Sequence, residues 1–493
     1  MNSIPKQSTQ LFWLFACITF ASVATAMLLN QVLLLAIPFA ILFALLCIAN
    51  TKLIYYALLF ALPISINLKE FGLISLDFPD EPLMLAITTL FPFVFLLNRN
   101  TNMQSSFFRH PIIGWMIVWI LWVLTCTITS TYPALSIKYF LSKLWYVIPF
   151  IGMTTLVVYQ DIQSIKKIFL LYAIPLLAMV LFVTYRHSKL GFSFEDVTAA
   201  CSPYFVNHVC YGSLVSLFVP LSVGAIFYFK RCTANWFYAI GATLIFLMAV
   251  YLAYSRGAWA AVFFAGGIFV AVRFKLVKIF FITFYLFIAA AAIFLSTNNK
   301  YIDFAPRPET GIMHDNLVDH LIATLKGKDI SSNERFYRWV AGARMGSVKP
   351  IFGFGPNTFY ENYKPYTVHR FHTYVSRNNE RSTMHNYFLF MLAEQGYVGM
   401  LIYAVFIFLV FAKGQKLYHQ LTDKKLKIIL ISVLCMLGAF FINNTLSELI
   451  ENDKLGSCFF IGIGIIVALD IRHKNGISNQ LSATPISISE PLV

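Results

Sequence analysis

Three short clusters combine residue types that can grip an anion, move a proton and let a substrate come close. The first is Tyr254-Ser255-Arg256-Gly257-Ala258-Trp259, set between two apolar runs. A guanidinium is a planar fork that holds phosphate through two parallel hydrogen bonds and keeps its charge at any physiological pH. At the centre of a membrane helix it would cost about 2.5–3.5 kcal/mol, so Arg256 belongs at an interface or against a cavity. Its bland role is to snorkel and anchor a helix end. Its functional role is to hold a phosphate, with Ser255 beside it and Gly257 permitting close approach. The second cluster is Glu334-Arg335-Phe336-Tyr337-Arg338-Trp339, followed by Pro350, Gly353, Gly355, Asn357 and Phe359. One of its arginines can face the membrane surface while Trp339 docks the segment; the competing reading is a solvated basic face with an interfacial aromatic anchor. The third is Thr383-Met384-His385-Asn386-Tyr387-Phe388, running into Leu389, Leu392, Glu394, Gly396 and Gly399. Imidazole is the usual general base near neutral pH, although a histidine at a helix start also serves as a polar cap.

The elements that must position these clusters are membrane helices. Hydrophobic residues make up 59% of the 493 and charged residues 12%, against about 25% charged in a soluble domain; the mean hydropathy is +0.71. Apolar runs long enough to cross a hydrocarbon core of about 30 Å recur along the chain. They predict an all-α polytopic fold of about fourteen spans (twelve to fourteen), near 11–29, 32–49, 52–67, 83–98, 112–130, 138–158, 167–185, 208–229, 235–254, 258–272, 276–296, 386–412, 428–446 and 455–471. The first run follows Lys6 and carries Ala24-Thr25-Ala26, which looks like a signal cleavage site, but we read it as an uncleaved first helix.

Charge orients the bundle. Alternate connections collect Lys52, Arg99 and Arg109, Lys166 and Lys167, Lys230 and Arg231, Arg273, Lys275 and Lys278, then Lys413 to Lys427, and Arg472 with Lys474. The intervening set is acidic or mixed: Glu70, Asp77, Asp80 and Glu81, then Glu195 and Asp196, then Glu448, Glu451 and Asp453. By the positive-inside rule both termini are cytoplasmic, and the formal charge of +15 is a topology signal that needs no nucleic acid.

The chain then divides into N-terminal transmembrane helices (1–296), a long outer loop (297–385), C-terminal transmembrane helices (386–473) and a Ser/Pro-rich tail (474–493) expected to be disordered. The loop carries 12 Lys/Arg against 8 Asp/Glu, with His314, His320, His369, His372 and His385. Long loops escape the positive-inside rule, so this charge can meet lipid-linked anions outside. Lys300, Arg370, Arg377 and Arg381 have no distinguishing spacing and read as solvated surface. Within the loop, Ser332–Lys349 has helical periodicity, with Phe336, Trp339, Val340 and Ala343 on one face and Ser332 and Arg335 on the other. The helix stops at Pro350, and Gly353-Phe354-Gly355-Pro356 turns sharply. The loop is therefore expected to be a partly helical, folded cap between two late spans.

Cofactor chemistry has little footing. No CxxC, P-loop, GxSxG, HExxH or EF-hand spacing occurs, nor a DxD-like pair for a metal–nucleotide sugar. A metal-free, cofactor-free reaction is the expectation. Cys201 and Cys210 could pair in an oxidising compartment, but two separate thiols are the simpler reading.

Taken in order, Ser255-Arg256-Gly257-Ala258-Trp259, then Arg335, Trp339, Pro350, Gly353, Gly355 and Phe359, then His385-Asn386, Leu389, Glu394, Gly396 and Gly399 resemble the O-antigen ligase and O-antigen polymerase superfamily, which includes bacterial O-oligosaccharyltransferases. The resemblance covers 255–400; twelve spans are common in such ligases. It implies a metal-independent inner-membrane enzyme that moves a glycan from undecaprenyl pyrophosphate to an acceptor hydroxyl at the periplasmic face. The family arginine precedes its tryptophan by four residues, so Arg335 is the match, with Arg256 and His385 as the other catalytic positions. Arg338, Trp339, Asn386 and Ser255 are expected to bind substrate. The acceptor would be lipid A–core for a ligase, favoured here, a new repeat unit for a polymerase, or a protein hydroxyl for an oligosaccharyltransferase. A polysaccharide transporter is the non-enzymatic alternative, for which charges within several spans or paired broken helices would speak.

Overall fold

The computed structural model describes residues 6–29, 36–71, 76–97, 101–304, 330–371, 376 and 383–477. His314, His320, His372, Arg377, Arg381 and the tail from 478 onward lie outside the described residues. Each of the fourteen expected spans overlaps a helix among the described residues, although the expected 52–67 gives way at its end to the strand Ile66–Asn67. Among the described residues, 11 helices are long and apolar enough to cross a membrane, and Phe15–Leu29 and Thr51–Ile64 are shorter apolar helices. The protein is an all-α, multi-pass membrane protein.

Local chemistry explains where the helices begin. Asn207, Ser255, Asn386, Asp423 and Asn452 each accept a backbone N–H from the first turn that follows, satisfying donors that lipid cannot. Pro111 and Pro133 stand at first helical positions, where no N–H is needed. Pro149 lies inside the long helix Pro133–Gln160 and coincides with a π-helical turn, Ile148–Met153, which re-pairs the backbone around it.

The last helix, Asp453–Lys474, is enclosed along its length by the others. Gly464 lets it lie against the π-turn: a Cβ there would sit 2.8 Å from Thr154 Cβ and 3.1 Å from the carbonyl oxygens of Phe150 and Ile151. The penultimate helix, Lys424–Leu446, uses the same device, with Gly438 against Ile268 and Ser432 against Gly224. Small residues let membrane helices pack closely where hydrophobicity supplies no driving force. One two-residue antiparallel ladder, Ile66–Asn67 with Asp77–Phe78, leads into the helix Asp80–Leu97.

Residues from alternate connections meet at one end of the bundle, as the charge pattern predicts. Lys166 and Lys425 both lie over the Tyr228 ring, at 5.2 and 5.5 Å. His110 Nε2 and Lys474 Nζ share Asp470, at 3.0 and 2.5 Å, and Arg472 donates to the Tyr159 carbonyl. All three chemical clusters lie at the other end.

The cap contains the expected helix, Ile330–Val348, but its buried face differs from the one the periodicity suggested. Glu334, Tyr337, Arg338, Ala341, Gly342, Met345 and Gly346 are buried; Phe336, Trp339 and Val340 are half-buried and Ala343 is exposed. The reason is the glycines. A Cβ on Gly342 would sit 2.3 Å from Met384 Sδ, and one on Gly346 would sit 2.5 Å from Leu392 Cγ. Closeness of approach selected the face, not side-chain hydrophobicity alone. Cys201 and Cys210 are separate thiols.

Candidate functional site

The first and third clusters adopt the same local design. Tyr254 and His385 each take a left-handed backbone conformation, φ 51° and 55°. Each is followed by a capping residue, Ser255 or Asn386, and then by a helix, Arg256–Arg273 or Tyr387–Gln420. The Ser255 hydroxyl accepts the Ala258 N–H at 3.4 Å, and the Asn386 carboxamide accepts the Leu389 N–H at 3.0 Å. Left-handed backbone costs a non-glycine residue roughly 1–2 kcal/mol and persists only where surroundings enforce it.

For His385 the surroundings are explicit. Arg338 donates to the Thr383 carbonyl at 3.2 Å, and the Trp339 indole N–H donates to the Met384 carbonyl at 2.8 Å. On the far side the Asn386 N–H donates to Glu448 Oε1 at 3.4 Å. The histidine is thus pinned between the cap helix and the connection joining the last two helices. Arg338 is itself held by Glu334, 3.4 Å away, and Glu334 takes the Ser376 hydroxyl. Ser255, Asn386, Arg338 and Trp339 are therefore engaged in positioning backbone; Arg335, half-buried, stands in electrostatic range of the imidazole.

Charge at this site is unusual. Burial, then the neighbouring Arg335 and Arg338, pull the His385 imidazole down to about 4. It is neutral at pH 7 and lies in electrostatic range of two guanidinium groups, of which Arg338 is paired with Glu334. Burial pushes the Glu448 carboxyl up to about 8, despite N–H groups of Asn386 and Met384 that favour its ionised form. Arg256 opens another helix, and beside it a Cβ on Gly257 would lie 3.7 Å from both Asn443 and Leu446, which lead into the connection bearing Glu448.

The glycine-rich turn and the start of the post-cap helix, Tyr387–Gln420, interlock. The buried Glu394 carboxylate accepts the Asn357 N–H at 2.6 Å and the Phe359 N–H at 2.8 Å. In return, the Phe354 and Gly355 N–H groups donate to the Ala393 and Glu394 carbonyls at 3.0 and 2.9 Å, and the Tyr397 N–H to the Pro350 carbonyl at 2.8 Å. Gly353 and Gly396 have positive φ and touch backbone directly. Thr131 and Ser136 tie the turn to the helices before it, through the Phe354 and Pro356 carbonyls. The second and third clusters are therefore one structural unit, which sets His385 at its rim.

Sequence reasoning missed the polar network beneath. Glu451 Oε1 accepts from Lys143 Nζ at 2.6 Å, Tyr139 at 2.7 Å and Tyr387 at 3.1 Å. The wholly buried Lys143 also lies over the rings of Trp119 and Tyr139, at 5.1 and 4.9 Å. A lysine inside the expected span 138–158 was the available signal, because membranes tolerate such a charge only with a partner.

With this geometry in place, residues 241–404 match the family model described as O-antigen ligase. The match takes in the Arg256 connection, the cap and the start of the post-cap helix, about a third of the chain. It bears out the superfamily resemblance over that stretch and supports a glycan-processing membrane enzyme of the ligase and polymerase type. No curated protein matches the chain.

Proposed function

We propose that the protein is a glycosyltransferase of the inner membrane that moves a glycan from undecaprenyl pyrophosphate to an acceptor hydroxyl on the periplasmic side, acting as an O-antigen ligase toward lipid A–core. Both termini are cytoplasmic in this reading, in line with the basic residues gathered at the opposite end of the bundle. The observation that carries it is the neutral, pinned His385 in electrostatic range of Arg335 and Arg338, within a segment that matches the ligase family model.

The chemistry follows from those residues. Arg256 and Arg335 hold the donor pyrophosphate and take up charge as it leaves, worth roughly 10²–10³ in rate for each donor. The acceptor oxygen attacks the anomeric carbon from the face opposite the phosphate, the C–O bond to phosphate breaks with its electron pair, and configuration inverts. The acceptor proton passes to His385, worth roughly 10²–10⁴. An imidazole held near 4 is a poor base alone. Pyrophosphate beside Arg335 offsets the part of the shift that the arginine charge causes and so raises the imidazole's basicity, while burial, the larger cause, continues to hold it down.

The test is the lipopolysaccharide of a deletion strain. A ligase leaves lipid A–core bare while lipid-linked polymer accumulates. Core bearing a single repeat would overturn this reading in favour of a polymerase, and normal lipopolysaccharide with unglycosylated protein would assign a protein acceptor.

A further inference from the structure

The connection between the helices Ser164–Lys189 and His208–Tyr228 sets two exposed rings beside the Arg256 turn. Phe192 and Phe194 are each 38% exposed, and Gly191 and Phe192 both take left-handed backbone, φ 70° and 56°. A bulky residue keeps that conformation only where its surroundings enforce it. The Phe192 N–H donates to the His187 carbonyl at 3.0 Å, and its own carbonyl accepts the Tyr254 hydroxyl at 2.9 Å. The ring meets the buried His187 imidazole edge-to-face, with centroids 5.2 Å apart, and that imidazole donates through Nε2 to the Ser193 carbonyl at 2.9 Å. Phe194 stands edge-to-face against Tyr254 and His208, at 5.8 and 5.9 Å. Tyr254, two residues before Arg256, therefore touches both phenylalanines and fixes their place.

Aromatic residues near span ends ordinarily form an interfacial belt. That belt favours Trp and Tyr, which pair an apolar body with a polar tip, whereas the exposed rings here are phenylalanines on a strained loop. Carboxylates adjoin them: Glu195 is exposed, and Asp196 takes the Ser193 hydroxyl at 2.7 Å. Carboxylates do not suit anionic headgroups, which basic side chains attract, but they accept hydrogen bonds from neutral hydroxyls. A pyranose matches both features, with an apolar face of C–H groups and a rim of hydroxyls. The face of an aromatic ring is the negative pole of its quadrupole and attracts such C–H groups.

The position fits as well. In the proposed chemistry Arg256 holds the pyrophosphate to which the first sugar is bonded. The connection also precedes residues 241–404, the stretch that matches the family model. Loops outside such shared machinery are where recognition of a particular substrate resides.

Resting on that reading, we propose that Phe192 and Phe194, set by Tyr254, form a stacking platform for a sugar ring of the lipid-linked glycan, with the Glu195 carboxylate at its rim. The platform selects the glycan of the donor and takes no part in breaking the bond to phosphate.

The test uses full-length protein in detergent and undecaprenyl-linked glycan extracted from the source membranes. Mild acid releases the glycan free of phosphate, and equilibrium dialysis measures its binding. Wild type should bind the free glycan saturably. Phe192→Leu with Phe194→Leu, which keeps apolar bulk but removes both ring faces, should weaken that binding by roughly tenfold. Phe192→Tyr with Phe194→Tyr, which keeps the rings, should restore most of it. In transfer assays the leucine pair should act mainly by raising the donor KM, with the smaller part of its effect on kcat. Should that pair not fold, Phe194→Leu alone, at a residue without left-handed backbone, serves the same comparison with a loss of roughly threefold. Equal binding by wild type and the leucine variant would overturn the platform while leaving the transferase reading untouched, and so would no binding of free glycan by wild type at millimolar concentration. Ring-dependent binding by a wild type that transfers no glycan would uphold the platform and overturn the transferase reading instead.

Discussion

Lys143 Nζ stands 2.6 Å from Glu451 Oε1, joining the middle of one helix to the connection before the last across 308 positions of sequence. Removing one partner from such a pair leaves the other charge uncompensated, typically at a cost of about 3–5 kcal/mol. Glu451 keeps 26% of its side chain in solvent, which places Glu451→Ala toward the lower end, about 3 kcal/mol. Adding Lys143→Met to Glu451→Gln removes both charges and keeps an acceptor for Tyr139 and Tyr387. That double variant should recover most of the lost stability. Fluorescence-detected elution after a heat ramp measures it; a double variant worse than the sum of its parts would refute the pairing.

The bundle was legible in the sequence because lipid imposes a simple rule, that each crossing segment be apolar for its full length: every expected span overlaps a helix, and among the described residues 11 of these helices are long and apolar enough to cross. The caps were not: Ser255 and Asn386 were expected to bind substrate, whereas each accepts a backbone N–H of the helix it precedes. The Lys143–Glu451 pair was not, because its partners meet only once the helices are packed. Nor was the buried face of Ile330–Val348. Its periodicity favoured Phe336 and Trp339, whereas Gly342 and Gly346 fixed the contact through Met384 and Leu392. Among the motif residues, Gly353, Gly355, Glu394 and Gly396 were visible as a pattern, but their mutual docking was not.

That docking makes its own prediction. At Gly396, φ is +70° and a Cβ would sit 2.1 Å from the Ile351 carbonyl oxygen; at Gly353, one would sit 2.3 Å from the Glu394 carbonyl carbon. Neither neighbour is a flexible side-chain tip, so backbone must shift in addition to the left-handed penalty of roughly 1–2 kcal/mol. Gly396→Ala and Gly353→Ala should each lower the yield of folded protein sharply. Gly266→Ala, where nothing lies within 4 Å, should not. Equal yields from all three would contradict the interlock.

Stability should respond to pH in two opposed ways. His385 titrates at about 4 in the folded protein against about 6.5 unfolded, so the unfolded chain binds the extra proton between those values. Its contribution is complete above pH 6.5 and is lost as pH falls toward 4. Glu448 titrates at about 8 folded against about 4.3 unfolded, so the folded state holds the extra proton. Its contribution is present below about pH 4.3 and is lost as pH rises through 8. Thermal midpoints from pH 5 to 8.5 should therefore fall less at the alkaline end for Glu448→Gln, and less at the acid end for His385→Gln. A wild-type slope unchanged in both variants would assign the titrations to other groups.

Arg335 and Arg338 sit one helical turn apart, and their variants should fail differently. Arg338 bridges Glu334 and Thr383 from a buried position, so Arg338→Ala strips a charged partner from Glu334 and loosens the segment bearing His385. Loss of a hydrogen bond to a charged group costs about 1.5–3 kcal/mol, and the expected result is less folded protein with the transfer rate per folded molecule reduced as a secondary effect. Arg335 is half-buried and lies in electrostatic range of the imidazole. Under the proposed chemistry Arg335→Ala should fold as wild type and lose roughly 10²–10³ in transfer rate, with Arg256→Ala behaving alike. Arg335→Lys restores charge but not the two-pronged hold, so it should recover only part of that loss. Purified variants assayed for glycan transfer, normalised to monodisperse protein, separate the two outcomes. Normal transfer by Arg335→Ala would remove this arginine from the reaction and leave His385 without its proposed anion-dependent activation.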